Sequence, residues 1–281
     1  MTDQPRAEAS GPSATRRDRP LPLRQMGIGE LIDAAVRLYR LEWKVLMAIV
    51  AFVVVPVTFL EVWASQLLIG NIGPAIPSAD PFGELLVLTL VFVAVQFLIV
   101  QPFLVAAIAR AAADVYLGEQ VTIGGTYSYA LSRLPAILWI TILTTLATLL
   151  GFVLLIIPGI IALVRLAFAP AALVVEGHRG STAVRRSWRL TKGFFWRTLG
   201  TLLLSGVIVA IVTGIISLPG ELLVQAMGPD AWPLSALVTV LATVLVTPFA
   251  TLVVVLLYFD LRIRKEGFDI EMMARELVST R

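Results

Sequence analysis

The sequence predicts an all-α, polytopic membrane protein with six transmembrane helices, three interfacial amphipathic helices and a candidate threefold internal repeat. Hydrophobic residues make up 58% of the 281 positions, charged residues make up only 15%, and the mean hydropathy is +0.90. Soluble domains are about 45–50% apolar and about 25% charged, so this composition excludes an ordinary soluble enzyme. The excess of apolar residues falls in six long stretches, as expected of membrane-spanning helices.

The chain divides into a polar tail, a membrane domain and a polar end. Residues 1–25 carry several prolines and mixed charges with few apolar side chains, which is typical of a disordered cytoplasmic tail. No short apolar segment with a cleavage site precedes the first span, so we expect no secretory signal peptide. Residues 26–268 hold the six-span domain, and residues 269–281 form a short cytoplasmic C-terminal segment.

Each apolar stretch approaches the roughly 20 residues that cross a hydrocarbon core of about 30 Å. The predicted spans are residues 45–68, 85–109, 134–156, 159–175, 198–220 and 234–259. A single helix over residues 134–175 would be about 63 Å long, twice the thickness of that core. Because Pro158 and Gly159 lie near its middle, we expect a tight hairpin between spans three and four.

The distribution of Lys and Arg predicts the orientation. Residues 69–84 and 221–233 contain no Lys or Arg, whereas six such residues lie in 179–197 and five lie from Arg262 onward. Positive residues stay on the cytoplasmic side of a membrane, so we expect both termini in the cytoplasm. Arg165, inside span four, is the one basic residue that does not fit this scheme.

A short amphipathic segment precedes spans one, three and five. Apolar residues recur at helical spacing from Ile28, from Ile123 and from Val184, where the predicted apolar face includes Trp188. We expect these helices to lie in the interface with their apolar faces toward lipid. Each even-numbered span also contains a proline, at Pro102, Pro170 and Pro248. An interfacial helix, an outgoing span and a returning span with a proline therefore form a unit that occurs three times.

Polar side chains inside the spans form the first candidate site. Arg165 in span four and Glu61 in span one are placed at similar depth, and Gln96 adds a polar group in span two. An unpaired arginine at the centre of a bilayer costs at least ~2.5–3.5 kcal/mol on insertion scales. We therefore predict an ion pair between Arg165 and Glu61. It would be either a clamp between the two spans or a site for an ion or a lipid headgroup.

The segment before span five forms the second candidate site, because it interleaves basic and aromatic side chains. Its residues are Arg185, Arg186, Trp188, Arg189, Lys192 and Trp196. Anionic lipid of the cytoplasmic leaflet attracts such cations by about 1 kcal/mol per charge. The apolar span directly beside the segment favours lipid headgroups over nucleic acid as its partner.

No motif for catalysis or cofactor binding occurs. The chain has no cysteine and a single histidine, His178, which excludes disulfides, thiolate nucleophiles and a multi-histidine metal cage. HExxH, GxSxG, the P-loop and the dinucleotide fingerprint are all missing from the sequence. We expect no enzymatic activity, no cofactor and no metal.

Three segments resemble the glycerophosphoryl diester phosphodiesterase membrane-domain family of bacterial proteins, over about residues 26–273. They are MGIGELIDAAVRLYR, IPGIIALVRLAFAPAALVVEG with the following AVRRSWRLTKGFFWRTLG, and LLYFDLRIRKEGFDIE. The resemblance implies a membrane module without the phosphodiesterase barrel of some members, since one histidine cannot supply the roles of that barrel. The residues that match the family pattern are Arg165, Pro170, Glu176, Arg186, Trp188, Gly193, Trp196, Asp260, Arg262, Lys265 and Gly267.

These observations predict a non-catalytic module of the bacterial cytoplasmic membrane that engages lipid or organises partner proteins. The expected partners are anionic lipids on the cytoplasmic side, with protein partners or a second copy of the chain as further candidates, and no nucleic acid. The alternative is a transporter or lipid-handling permease that uses Arg165 and Glu61. A polar cavity near the bilayer midplane would favour the alternative, and a dry packed centre would favour the module.

Overall fold

The computed structural model describes residues 24–69, 81–116, 122–177 and 180–267. All regular secondary structure in these ranges is helical, which confirms the predicted class. The helices are α1 (Ile28–Leu41), α2 (Trp43–Ile69), α3 (Pro81–Val95), α4 (Gln101–Tyr116), α5 (Ile123–Ser132), α6 (Leu134–Leu154), α7 (Ile156–Leu166), α8 (Ala169–Glu176), α9 (Ser181–Thr191), α10 (Phe195–Met227) and α11 (Trp232–Glu266). A π-helical turn at Gln96–Val100 joins α3 to α4, and a 3-10 turn at Pro229–Ala231 joins α10 to α11.

Six helical stretches in the described ranges are long and apolar enough to cross a membrane, as predicted. They are Trp43–Leu67, Phe82–Asp114, Leu134–Leu154, Ile156–Glu176, Phe195–Met227 and Trp232–Glu266. The chain is therefore a multi-pass helical membrane protein. The last two stretches have 33 and 35 residues. Each measures about 50 Å at 1.5 Å per residue, which is well beyond a hydrocarbon core of about 30 Å.

The hairpin between spans three and four turns at Leu155, three residues before the predicted position. Leu155 is extended, with φ −169° and ψ 155°, and α7 begins directly after it. Pro158 is accommodated in the first turn of α7, where its missing N–H is not needed. The two helices approach closely, because a Cβ on Gly151 would lie 2.9 Å from the Cα atom of Gly159. Two glycines therefore permit the tight packing of this hairpin.

The three returning spans differ at their prolines. Pro102 follows the π-helical turn, Pro170 lies in the first turn of α8 after a break at residues 167–168, and Pro248 lies inside the continuous α11. The order of short helix, outgoing span and returning span nevertheless occurs three times along the chain.

The C-terminal half of α11 is the centre of the fold. The exposed large apolar side chains of α11 end at Leu245, whereas Leu252, Leu256 and Leu261 farther along are fully buried. Helices α1, α2, α4, α9 and α10 pack around α11. We call the region around residues 246–266 of α11 the packed end. The remainder of the bundle carries an exposed apolar belt, to which α3 and much of α10 belong.

The three short helices α1, α5 and α9 lie where the sequence places them, but their buried faces contact the chain itself. Leu31 and Ala35 of α1 are fully buried. The Tyr39 hydroxyl donates a hydrogen bond of 3.0 Å to the Leu245 carbonyl of α11. In α5, the Tyr129 hydroxyl donates to the Val174 carbonyl of α8 at 2.8 Å. In α1 and α5, side chains of the faces expected to enter lipid thus stabilise the packing of the spans.

Candidate functional site: the charged layer of the packed end

Three side chains at a spacing of four residues form a polar stripe on the last turns of α11. Tyr258, Arg262 and Glu266 share one helix face, as this spacing requires. Arg262 lies with its guanidinium 6.0 Å from the centre of the Tyr258 ring, and its Nε atom is 3.6 Å from Glu266 Oε2.

Two charged residues of other helices, Glu176 and Arg186, contact this stripe. We call these two residues together with Tyr258, Arg262 and Glu266 the Arg–Glu cluster. Glu176 is the last residue of α8, which ends at the left-handed Gly177 with φ +69°. Its carboxylate accepts a hydrogen bond of 2.6 Å from Arg186 Nε and another from the Tyr258 hydroxyl. It also lies 3.4 Å from Arg262 Nε. The other N–H groups of Arg186 donate to both oxygens of Glu266.

The Arg–Glu cluster balances two guanidiniums with two carboxylates in a largely buried setting. The side chains of Arg186 and Glu176 are only 12% and 11% exposed. Burial opposes the charge on Arg186, but its hydrogen bonds and attraction to Glu266 and Glu176 outweigh burial and raise the pKa of Arg186 above its usual value. The cluster links α8, α9 and α11 as a neutral, hydrogen-bonded unit.

A second group, which we call the Asp260 cluster, ties the start of the described chain to its end. Asp260 is 0% exposed, and its Oδ1 atom accepts a hydrogen bond of 2.9 Å from the Met26 N–H. Its Oδ2 atom accepts from Arg197 at 2.8 Å and from Arg264 at 2.9 Å. Both arginines also donate to the Met26 carbonyl. One buried carboxylate thereby connects the segment before α1 with α10 and α11.

Helix α9 is fixed at both its end and its middle. Lys265 Nζ donates to the carbonyls of Arg189 and Lys192, the latter at 2.9 Å, so it satisfies acceptors that the end of α9 leaves open. The buried Ser187 hydroxyl donates to the Arg165 carbonyl at 2.7 Å and accepts from the Phe168 N–H at 3.1 Å. Ser187 therefore satisfies both sides of the break between α7 and α8.

The predicted pair of Arg165 and Glu61 is not formed among the residues that the structure describes. The Arg165 guanidinium lies instead 4.9 Å from the centre of the Trp188 ring. The depth estimate assumed a straight helix through span four, but the break at residues 167–168 lets α9 pack beside Arg165. Glu61 is half-buried in α2, and Gln96 is half-buried at the start of the π-helical turn. Within the described ranges, no hydrogen bond or ion pair joins any two of these three residues.

The basic and aromatic residues of α9 separate into two groups. Arg186, expected at lipid headgroups, points inward to the Arg–Glu cluster. Arg185, Arg189 and Lys192 are exposed. Trp188 is 44% exposed, and Trp196, in the first turn of α10, is 80% exposed.

The face of α9 that is buried in the protein is not the apolar face that was expected to enter lipid. It consists of Ala183, Ser187, Leu190 and Thr191 rather than the face of Val184 and Trp188. The small side chains of Ala183 and Ser187 allow α9 to approach the break in span four closely. The hydrophobic pattern of α9 does not predict that this face is the buried one.

The sequence pattern did not predict the Arg–Glu cluster or the Asp260 cluster as a site. Glu176, Asp260, Arg262 and Lys265 stood out only through the family resemblance, and Arg186 was predicted to contact lipid headgroups instead. The available signal was the spacing of residues 258, 262 and 266 at the end of an otherwise apolar span. His178 lies outside the described residues. Across the described ranges, no group of three or more His, Cys, Asp or Glu side chains could hold a metal ion.

A family model with the description "Domain of unknown function (DUF7847)" matches residues 86–261. No curated protein and no solved structure matches the chain. The matched range includes Glu176, Arg186 and Tyr258 of the Arg–Glu cluster and also the buried Asp260. It ends one residue before Arg262, so Arg262 and Glu266 lie outside it.

Proposed function

The chain belongs to the DUF7847 family, whose model covers more than half of it, and on that premise we propose a function that its geometry supports. The protein is a non-catalytic module of the bacterial cytoplasmic membrane that engages anionic lipid headgroups through α9. Its packed end faces the cytoplasm, in keeping with the positions of Lys and Arg along the chain.

The observation that carries this proposal is the surface of α9 and the start of α10. We call it the α9 face and define it by Arg185, Trp188, Arg189, Lys192 and Trp196, all of which are exposed. Exposed tryptophans beside an apolar span are typical of a membrane interface, and each cation near an anionic leaflet adds about 1 kcal/mol of attraction.

The α9 face is held in place by internal contacts. Arg186 joins Glu176 and Glu266, and Lys265 binds the last carbonyls of α9. A surface that is already ordered loses less conformational entropy when it binds. Arg186 points inward and fixes the helix, whereas Arg185, Arg189 and Lys192 point outward. This arrangement supports a preformed docking surface for lipid.

The alternative function, transport through Arg165 and Glu61, has less support. The two residues form no ion pair in the described part of the chain, and the Arg165 guanidinium contacts the Trp188 ring instead. A transporter of polar solutes needs polar groups around a cavity, so these observations favour the module.

Replacement of the three outward cations tests the proposal. We expect the Arg185→Gln, Arg189→Gln, Lys192→Gln triple variant to lose most of the enrichment of anionic lipid around the protein, because three attractions of about 1 kcal/mol each disappear. The native and variant chains are extracted in polymer nanodiscs from vesicles of equal phosphatidylglycerol and phosphatidylcholine. Mass spectrometry then quantifies the lipids in each disc.

The matched control removes the same charge from α1 and the first turn of α2. Arg37, Arg40 and Lys44 are also exposed, and their triple glutamine variant should keep most of the enrichment. Equal losses in the two triple variants, or no enrichment in the native chain, would contradict the assignment of lipid binding to the α9 face.

A further inference from the structure

Arg165 occupies a defined position without a counter-charge among the residues that the structure describes. It lies in the last turn of α7, and its carbonyl accepts a hydrogen bond from the Ser187 hydroxyl, which fixes the backbone beside α9. The side chain is half-buried, and its Nε atom is buried without a hydrogen-bond partner. The guanidinium makes no hydrogen bond and no ion pair with any residue in the described ranges.

Trp188 holds this guanidinium from one side. The distance of 4.9 Å from the Cζ atom of Arg165 to the ring centre is that of a cation–π contact. Such a contact uses the flat face of the guanidinium, whereas its five N–H donors lie in the plane of the group. The Nη groups therefore remain without a hydrogen-bond partner among the described residues, beside the buried Nε atom.

The other positive charges near Arg165 make a bound anion more favourable at this position. Lys265 is close enough to Arg165 and Lys192 for their positive charges to act unfavourably on one another. The nearby carboxylates, Glu176 and Glu266, are already bound to Arg186. Charged side chains inside a membrane span are costly unless they are paired, so the partner of Arg165 must come from outside the described chain.

We propose that Arg165, oriented by Trp188, binds the phosphate group of an anionic phospholipid. Phosphate oxygens match the guanidinium fork and accept two parallel N–H bonds from it. Lys265 strengthens the positive potential at the site. The inference rests on the proposed function, because it places one particular lipid headgroup beside the α9 face in addition to the looser attraction of the exposed cations.

The experiment measures binding of dihexanoyl phosphatidylglycerol to the full chain in detergent by native mass spectrometry. We expect one saturable site in the native chain and a loss of affinity of about tenfold or more in Arg165→Gln, as charge-assisted hydrogen bonds commonly contribute. Arg165→Lys should lose affinity to an intermediate degree, because it keeps the charge but not the planar fork. An Arg165→Gln affinity within twofold of the native value would overturn the proposal.

Arg133 is the matched control. Its guanidinium lies 5.6 Å from the centre of the Tyr129 ring, so it is also an arginine on an aromatic ring beside a span, but it has no buried unpartnered nitrogen. Arg133→Gln should bind the probe as the native chain does. An equal loss in both variants would show a general effect of charge and would contradict a site at Arg165.

Two further measurements distinguish lipid binding from binding of soluble phosphate and from a structural role of Arg165. If inorganic phosphate binds as tightly as the lipid probe and also depends on Arg165, the lipid assignment is overturned in favour of a soluble phosphate anion. Arg165→Gln should unfold in lipid-free detergent at about the native temperature, because it breaks no hydrogen bond to described residues. A large drop would indicate a structural role instead.

The outcome is independent of the test of the α9 face. Enrichment of anionic lipid that is lost in the α9 triple variant, together with unchanged probe binding in Arg165→Gln, would leave the proposed function standing and remove the specific site.

Discussion

At the scale of single residues, similar cations in one short segment have opposite roles. Arg186 forms hydrogen bonds with Glu176 and Glu266, while Arg185 beside it is exposed. Neighbouring positions on a helix differ by about 100° in direction, so adjacent arginines face different surroundings. The role of a basic residue near a membrane therefore depends on which helix face it occupies, and not only on its distance from the span.

The buried carboxylate of Asp260 gives the sharpest prediction at this scale. Asp260→Asn should destabilise the protein by about 3–5 kcal/mol, because it leaves Arg197 and Arg264 without their counter-charge in a buried setting. Thermal unfolding in detergent measures the effect. Asp33→Asn, at an exposed position of α1, is the control and should change little. Equal stability of the two variants would show that the Asp260 cluster does not hold the packed end together.

At the scale of helices, the short segments support the long ones. Ser187 of α9 bonds both sides of the break in span four, and the hydroxyls of Tyr39 and Tyr129 reach carbonyls of α11 and α8. In a membrane, backbone groups freed by a helix break need partners from the protein. The short helices provide these partners in addition to covering apolar surface.

Removal of the Ser187 hydroxyl should weaken this support. Ser187→Ala leaves the Phe168 N–H and the Arg165 carbonyl without their partner, which typically costs about 1–3 kcal/mol for buried groups. We expect a lower unfolding temperature in detergent and faster proteolysis near residues 166–169. Ser181→Ala, at the exposed start of α9, controls for the loss of a hydroxyl. The interpretation of Ser187 fails if both variants behave like the native chain.

The sequence predicts the long helices well, but it does not predict the breaks and clusters. Span positions follow from local hydrophobicity, so the six spans and the three preceding helices are found. The break after Leu166 depends on Ser187, and the fate of Arg165 depends on Trp188. Both are contacts between residues about twenty positions apart. The hydrophobicity along the sequence does not predict such contacts.

At the scale of the whole molecule, the bundle has two unlike ends. The packed end joins α1, α8, α9 and α10 to α11 through charged and hydrogen-bonded residues, and the rest of the bundle exposes an apolar belt. This asymmetry is the property expected of a protein that presents one charged surface to one side of a membrane.

The orientation can be measured directly because the chain has no cysteine. Single cysteines at Ser181 and Asp230, both exposed, should react differently with a membrane-impermeant maleimide. Asp230→Cys, in the turn between α10 and α11, should be labelled in intact cells, and Ser181→Cys only after lysis. Labelling of Ser181→Cys in intact cells would reverse the proposed orientation.

The hydrogen bond from the Met26 N–H to Asp260 has a consequence for how the protein is made. The two residues are 234 positions apart. During translation α1 leaves the ribosome before α11, the helix that receives it. Until α11 is inserted, the apolar residues of α1 and the guanidinium of Arg197 lack their native neighbours on α11. The native packing of α1 can therefore form only after α11 has entered the bundle.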